Sequence, residues 1–208
     1  MDITRNHVEN PIPLGRRLVD QGGPDFYPTP AWATHALLDM EGFTGPIWEP
    51  ACGDGAMSRV LIARGQEVTS TDLFDRAYGT PGVDFLKEDR RTVNIVTNPP
   101  YVLAEHFVHA ALRQASGKVA MLLRLAFLEG GARQRTLFGP YPPARVHIFS
   151  ERLSFYPAGV EPTGRGATPY AWFVWDQANA GPTELRWISP GTKARHTPKA
   201  EAPLPLFG

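Results

Sequence analysis

Residues 118–125, Lys-Val-Ala-Met-Leu-Leu-Arg-Leu, are nearly continuously apolar, so a strand built from them has no polar face to turn toward water. Such a strand needs cover on both sides. That points to the centre of a sheet lying between two layers of helices, and the flanking sequence alternates accordingly. Residues 31–40 carry Ala33, Ala36, Leu37 and Met40 at helical spacing, residues 46–50 form a short strand candidate, and the next helix bears Met57, Val60, Leu61 and Arg64. Strand patterns follow at 67–71 and 94–98, and residues 104–115 read as the helix that crosses back. The rhythm then changes, because 145–150, 153–156 and 170–176 are strand candidates with no long helix between them. The fold class expected is α/β: a mixed, mainly parallel seven-stranded sheet with helices on both faces and an antiparallel C-terminal edge.

A chain of 208 residues fits one domain with a real core. Residues 25–188 are expected to form it, after a partly irregular segment 1–24 and before a flexible, proline-rich tail 189–208. Twenty-one basic residues balance twenty-one acidic ones, so net charge exerts no long-range pull toward nucleic acid or membranes. Any nucleic-acid surface must then be local. The single cysteine, Cys52, rules out an internal disulfide and a cysteine zinc cluster. No charged-then-apolar leader opens the sequence, and no apolar run approaches the roughly 18 residues of a membrane span, so a cytoplasmic protein with no membrane partner is expected.

The strand 94–98 runs into Pro99-Pro100-Tyr101, and neither proline has an N–H to donate to a ladder. The strand must therefore stop. It leaves a rigid bracket with a side-chain amide at one end, carbonyls without a local partner, and an aromatic ring at the other end. Such a bracket suits a flat, polar object. Upstream, Glu49-Pro50-Ala51-Cys52-Gly53-Asp54-Gly55 sets an acid at a strand end, then glycines, then a helix start. Glycine permits a sharp turn and close approach of the backbone to a ligand. The spacing is neither that of a dinucleotide-binding turn nor that of a phosphate loop. Asp72 closes the next strand, where doubly wound sheets place an acid that grips ribose hydroxyls. Asp84 and Phe85 supply an acceptor and an apolar wall, with core packing the alternative for the ring.

In this order the motifs resemble those of S-adenosylmethionine-dependent, N6-adenine-specific DNA methyltransferases, including compact phage and prophage members. Phe26-Tyr27-Pro28-Thr29-Pro30 is similar to the segment that precedes them and touches the methionine end of the cofactor. The resemblance covers about 25–125 and implies a Rossmann-like class I methyltransferase fold with S-adenosylmethionine as cofactor. It implies cofactor contacts from Tyr27, Pro28, Thr29, Pro30, Glu49, Ala51, Gly53, Gly55, Asp72, Asp84 and Phe85. Glu49 stands where many relatives have aspartate. Catalysis would fall to Asn98, Pro99, Pro100 and Tyr101. The amine of adenine is a weak nucleophile because its lone pair is delocalised into the ring. Acceptors at Asn98 Oδ1 and the Pro99 carbonyl, aimed at its two hydrogens, free that lone pair, while Tyr101 offers a ring to a base swung out of the helix. The same bracket would read a glutamine amide or an RNA base, and an accessory protein without turnover is the alternative from another class.

Other candidates are weaker. His106 and His109 share a helix face but lack a third metal ligand, so no metal is expected. Trp172 and Trp175 read as sheet packing. Arg152 and Arg165, and the pair Arg133 and Arg135, are candidates for DNA phosphates, and the loop 157–169 for sequence choice. Oligomeric state is left open.

Overall fold

The computed structural model describes residues 26–155, 168–179 and 181–197. Arg165, most of the loop 157–169, the first 25 residues and the last 11 lie outside that range. Five helices are described: α1 (Ala31–Met40), α2 (Ala56–Ala63), α3 (Ala104–Gln114), α4 (Gly131–Arg133), which runs on into a π-helical turn (Gln134–Phe138), and α5 (Thr192–His196). Seven strands accompany them: β1 (Ile47–Glu49), β2 (Val68–Ser70), β3 (Asn94–Thr97), β4 (Lys118–Arg124), β5 (Arg145–Phe149), β6 (Tyr170–Asp176) and β7 (Glu184–Ile188). They form one sheet in the order β2-β1-β3-β4-β6-β5-β7. The pairs β2-β1, β1-β3 and β3-β4 are parallel, and β6 runs antiparallel to both β4 and β5.

β4 takes the central place that its apolar run demands. Val119, Met121 and Leu123 enter a core shared with Ala104, Phe107, Val108 and Ala111 of α3. The alternate residues Ala120 and Leu122 meet Ala33 and Leu37 of α1 and Met57 and Leu61 of α2. This is the period-two alternation of a strand with helices on both faces. Trp172 and Trp175 are buried packing residues, as read from the sequence, with indole N–H groups bonded to the carbonyls of Ala33 and Tyr141 at 2.9 Å each.

Two elements differ from expectation. Leu153 to Phe155 make no strand; Leu153 is buried by packing under the sheet and not by a ladder, and Tyr156 lies outside the described residues. The seventh strand is β7, parallel to β5 at the sheet edge. Four of its five residues are exposed, so it has no buried face to give a periodic signal. Within the stretch from Ser189 that was expected to be a tail, Thr192–His196 form α5, and residues 198–208 lie outside the described ones. That helix rests on α1: His196 Nε2 lies 2.7 Å from Asp39 Oδ2, and its ring stacks on His35 with centroids 4.7 Å apart. Among the described residues no helix is long and apolar enough to cross a membrane.

Candidate active site

β1, β2 and β3 end on the same side of the sheet, and the turns that follow them surround a cavity of about 210 Å³. A crevice beyond the carboxyl ends of parallel strands is where open α/β sheets bind ligands. Its wall brings together Tyr27, Pro28, Thr29, Glu49, Ala51, Gly53, Asp72, Asp84, Phe85 and the whole bracket Asn98 to Tyr101. Two residues expected there are set back. Pro30 is the N-cap of α1, and Gly55 is the N-cap of α2.

The turn after β1 is held from within. Gly53 N–H donates to Asp72 Oδ2 at 2.8 Å, Phe74 N–H donates to Asp72 Oδ1 at 2.9 Å, and Ala56 N–H donates to Asp54 Oδ1 at 3.1 Å. Asp72 thus ties two turns together and still faces the cavity. The glycines serve a close approach, but to the chain's own rings. A Cβ on Gly53 would stand 2.3 Å from Phe26 and one on Gly55 2.5 Å from Tyr78. Both have positive φ, 56° and 82°, which adds backbone strain to any replacement. Arg76 caps the Phe26 ring at 4.2 Å, and Arg59 caps Tyr78 at 4.7 Å.

Glu49 is 2% exposed, and its carboxyl accepts from Ser58 Oγ, which also meets Ser70 Oγ at 2.6 Å. Burial pushes its pKa up to about 8, helped by the nearby charges of Asp54 and Asp72 and opposed by the Ser58 bonds. Burial likewise pushes the Cys52 thiol up to about 12, so this lone cysteine stays protonated. Asp84 pairs with Lys87 at 2.9 Å, which holds its carboxyl below the usual range, and it caps the turn Phe85–Lys87 through Leu86 N–H. Phe85 is buried at the cavity wall. It lines the cavity and packs edge-on to Trp48 at 5.1 Å.

β3 ends where the prolines begin. Asn98 Nδ2 donates to Thr29 Oγ1 at 3.1 Å, whereas Asn98 Oδ1 is buried with no hydrogen-bond partner among the described residues. A buried acceptor left unpaired costs about 1–3 kcal/mol, and persists where a ligand completes it. Tyr101 is flanked by the Arg124 guanidinium, 4.8 Å over its ring, and by Tyr170 at 5.6 Å. Tyr170 meets Phe155 at 4.9 Å and Phe155 meets Tyr27 at 6.2 Å, so a row of rings runs from one bracket to the other.

Phe74, Arg76 and Arg124 were missed by sequence reasoning. Arg124 had one signal, as the charge that interrupts the apolar run of β4. The remaining candidates lie elsewhere. Arg152 is exposed after β5; Arg133 donates to the carbonyls of Phe127 and Glu129, both at 2.6 Å, and serves local structure. His109 lies beside Glu105 and packs edge-on to Tyr141, and no group of three metal-ligating side chains occurs among the described residues.

No protein-family model matches the chain, and no curated protein sequence matches it. Solved structures do. One assigned as a modification subunit of a type I restriction enzyme from Vibrio vulnificus has 15% identity and a TM-score of 0.57, covering 84% of this chain and 49% of its own. The chain thus spans about half the length of that protein. One assigned as an RNA methyltransferase from Pyrococcus horikoshii has 14% identity and a TM-score of 0.54, covering 78% and 96%. The 23S rRNA methyltransferase ErmE has 19% identity and a TM-score of 0.51, covering 76% and 71%. At these identities the likeness is one of fold, and the fold is the Rossmann-like one of methyltransferases.

Proposed function

We propose that the protein is an S-adenosylmethionine-dependent methyltransferase acting on the exocyclic amine of adenine in DNA. The observation that carries this reading is the unpartnered, buried Asn98 Oδ1 on the wall of a cavity that also holds Glu49, Gly53 and Asp72. The cavity residues fit the cofactor chemically. Glu49 and Asp72 face a ligand that carries two positive charges and a diol, and Asp84 with Phe85 offers an acceptor and a ring wall for its base. S-adenosylmethionine, when bound, supplies an electrophilic methyl group.

The chain's own residues would do the rest. Asn98 Oδ1 and the adjoining Pro99 carbonyl accept the two hydrogens of the target amine and leave its lone pair free. Pro99 and Pro100 hold both acceptors still, so little reorganisation is needed as positive charge develops on the nitrogen. Tyr101, braced by Arg124 and Tyr170, presents an aromatic surface for a flat base. Support for a nucleic-acid substrate comes also from the restriction-modification and RNA-methyltransferase neighbours.

The test is incubation with methyl-labelled cofactor and separate DNA, RNA and protein pools, followed by digestion. Label in N6-methyladenine from DNA is the expected result, and label confined to RNA or to glutamine overturns the substrate. Asn98→Ala should slow transfer by about 100- to 1,000-fold, as loss of one preorganised electrostatic partner does, with cofactor affinity retained.

A further inference from the structure

We infer that Thr29 is a positioning residue that sets the plane of the Asn98 amide and so keeps an acceptor turned toward the target amine. This rests on the methyl-transfer reading above. Thr29 Oγ1 is the partner of Asn98 Nδ2 at 3.1 Å, across 69 residues of sequence, and Thr29 itself is 6% exposed. The resemblance that placed Thr29 on the cofactor does not predict this bond.

The surroundings explain why such a bond would be built. An asparagine side chain turns about two single bonds, and the terminal one has broad preferences. A wall that must hold an acceptor to within a fraction of an ångström therefore needs a second anchor. Thr29 is a suitable one because its own backbone is pinned. Pro28 and Pro30 flank it; proline fixes φ, and the residue before a proline is confined to extended conformations. Pro30 then enters α1 as its N-cap, with φ −55° and ψ 129°. On the other side Pro99 and Pro100 pin the chain next to Asn98. Two proline brackets are thereby joined through one side-chain hydrogen bond, with the cavity between them.

The bond also bears on the substrate class. A hydroxyl can serve either end of an amide, but with Nδ2 on Thr29 it is Oδ1 that is left without a partner among the described residues. The wall then presents an acceptor and selects a target that carries N–H hydrogens. A bare ring nitrogen, a carbonyl or a phenolate oxygen would leave Oδ1 unsatisfied. Discrimination of this kind is large when the rejected ligand strands a buried polar atom.

Thr29→Val deletes the hydroxyl at nearly constant volume, Thr29→Ala deletes it with room to spare should valine crowd the wall, and Thr29→Ser keeps it. In ligand-free, 15N-labelled protein the Asn98 side-chain amide protons should exchange slowly, exchange faster in the valine or alanine variant, and return to the parent rate in the serine variant. With adenine-containing duplex DNA as substrate, kcat at saturating cofactor should fall roughly 10- to 100-fold in the valine variant and recover in the serine variant. The double variant with Asn98→Ala should be no slower than Asn98→Ala alone. A parent-like kcat in Thr29→Val, or a rise in the cofactor Kd with no loss of kcat, overturns the inference and leaves the site reading intact. Parent activity in Asn98→Ala sinks the site reading itself.

Discussion

Glu49 lies at the end of β1 with its carboxyl bonded to Ser58, and burial lifts its pKa from 4.5 to about 8. The folded-state pKa is therefore above the unfolded one. Below about pH 4.5 both states hold the proton and nothing is lost. As pH rises toward 8 the unfolded chain ionises while the folded one does not, so stability falls by up to about 1.4 kcal/mol for each unit crossed. Glu49→Gln removes this titration. In urea denaturation its stability should gain on that of the parent from pH 5 to 8 and then level off. A constant difference across the window would show that Glu49 is not protonated in the fold. A cationic ligand has the opposite influence to burial. Binding of S-adenosylmethionine at pH 7 should release close to one proton, seen as a calorimetric heat that depends on the buffer's ionisation enthalpy. Its absence would separate Glu49 from the ligand's charge.

Among the elements, α5 connects the end of the described chain to the site. It packs on α1, whose N-terminus continues from Thr29 and Pro30, and it is held by His196 with Asp39, by the His35 stack and by the buried Thr192. Asp39 is held below the usual carboxylate range, since the bonds from His196 and Arg64 outweigh the opposing effect of burial. These contacts are partly exposed, so about 1 kcal/mol is a fair figure for their loss. A chain ending at Ile188 should melt about 2–4 °C below one ending at Thr197. Equal melting temperatures in a scan of the two would mean that α5 does not brace α1.

Across the whole molecule the ends of the strands divide the labour. The cavity lies beyond the C-terminal ends of β1 and β3, whereas a buried charge cluster lies at the opposite side. Glu41, just past α1, takes hydrogen bonds from Lys118 at 2.6 Å, Arg145 and His147, and Arg145 also reaches Asp176 at 2.8 Å. One carboxylate thus ties α1 to β4 and β5, and through Arg145 to β6. Burial of Glu41 raises its pKa, but the bonds from His147, Arg145 and Lys118 outweigh it and hold the carboxyl far below its ordinary range. A depressed pKa means that this stabilisation is complete above about pH 4.5 and is lost progressively as pH falls below that value. Glu41→Ala leaves Arg145 and Lys118 to share Asp176 alone and should cost about 3 kcal/mol in denaturant unfolding. Cofactor affinity measured below the melting temperature should be unchanged, because the network and cavity share no residue. Weakened binding in folded variant protein would show that the two ends are coupled.

Local chemistry was sufficient for the parts written in consecutive residues. The apolar run at β4 demanded a central strand, two prolines demanded that β3 stop at the bracket, and helical spacing marked α1, α2 and α3 to within a few residues. Glu49 to Gly53, Asp72 and the Asn98 bracket were legible for the same reason, since each sits where a strand ends and its turn begins, whereas Tyr27 to Pro30, ahead of α1, entered only through the resemblance. β7 was not legible, because four exposed residues show no buried face, and Leu153 misled because an apolar residue can be buried without belonging to a ladder. The roles of side chains depended on distant neighbours. That the glycines yield to Phe26 and Tyr78, that Arg124 lies over Tyr101, and that Thr29 holds Asn98 are contacts between residues far apart in the chain. Propensity acts over a few residues, whereas a hydrogen bond needs two atoms within about 3 Å. Only the packed sheet brings residue 29 to residue 98 and leaves one buried amide oxygen without a partner among the described residues.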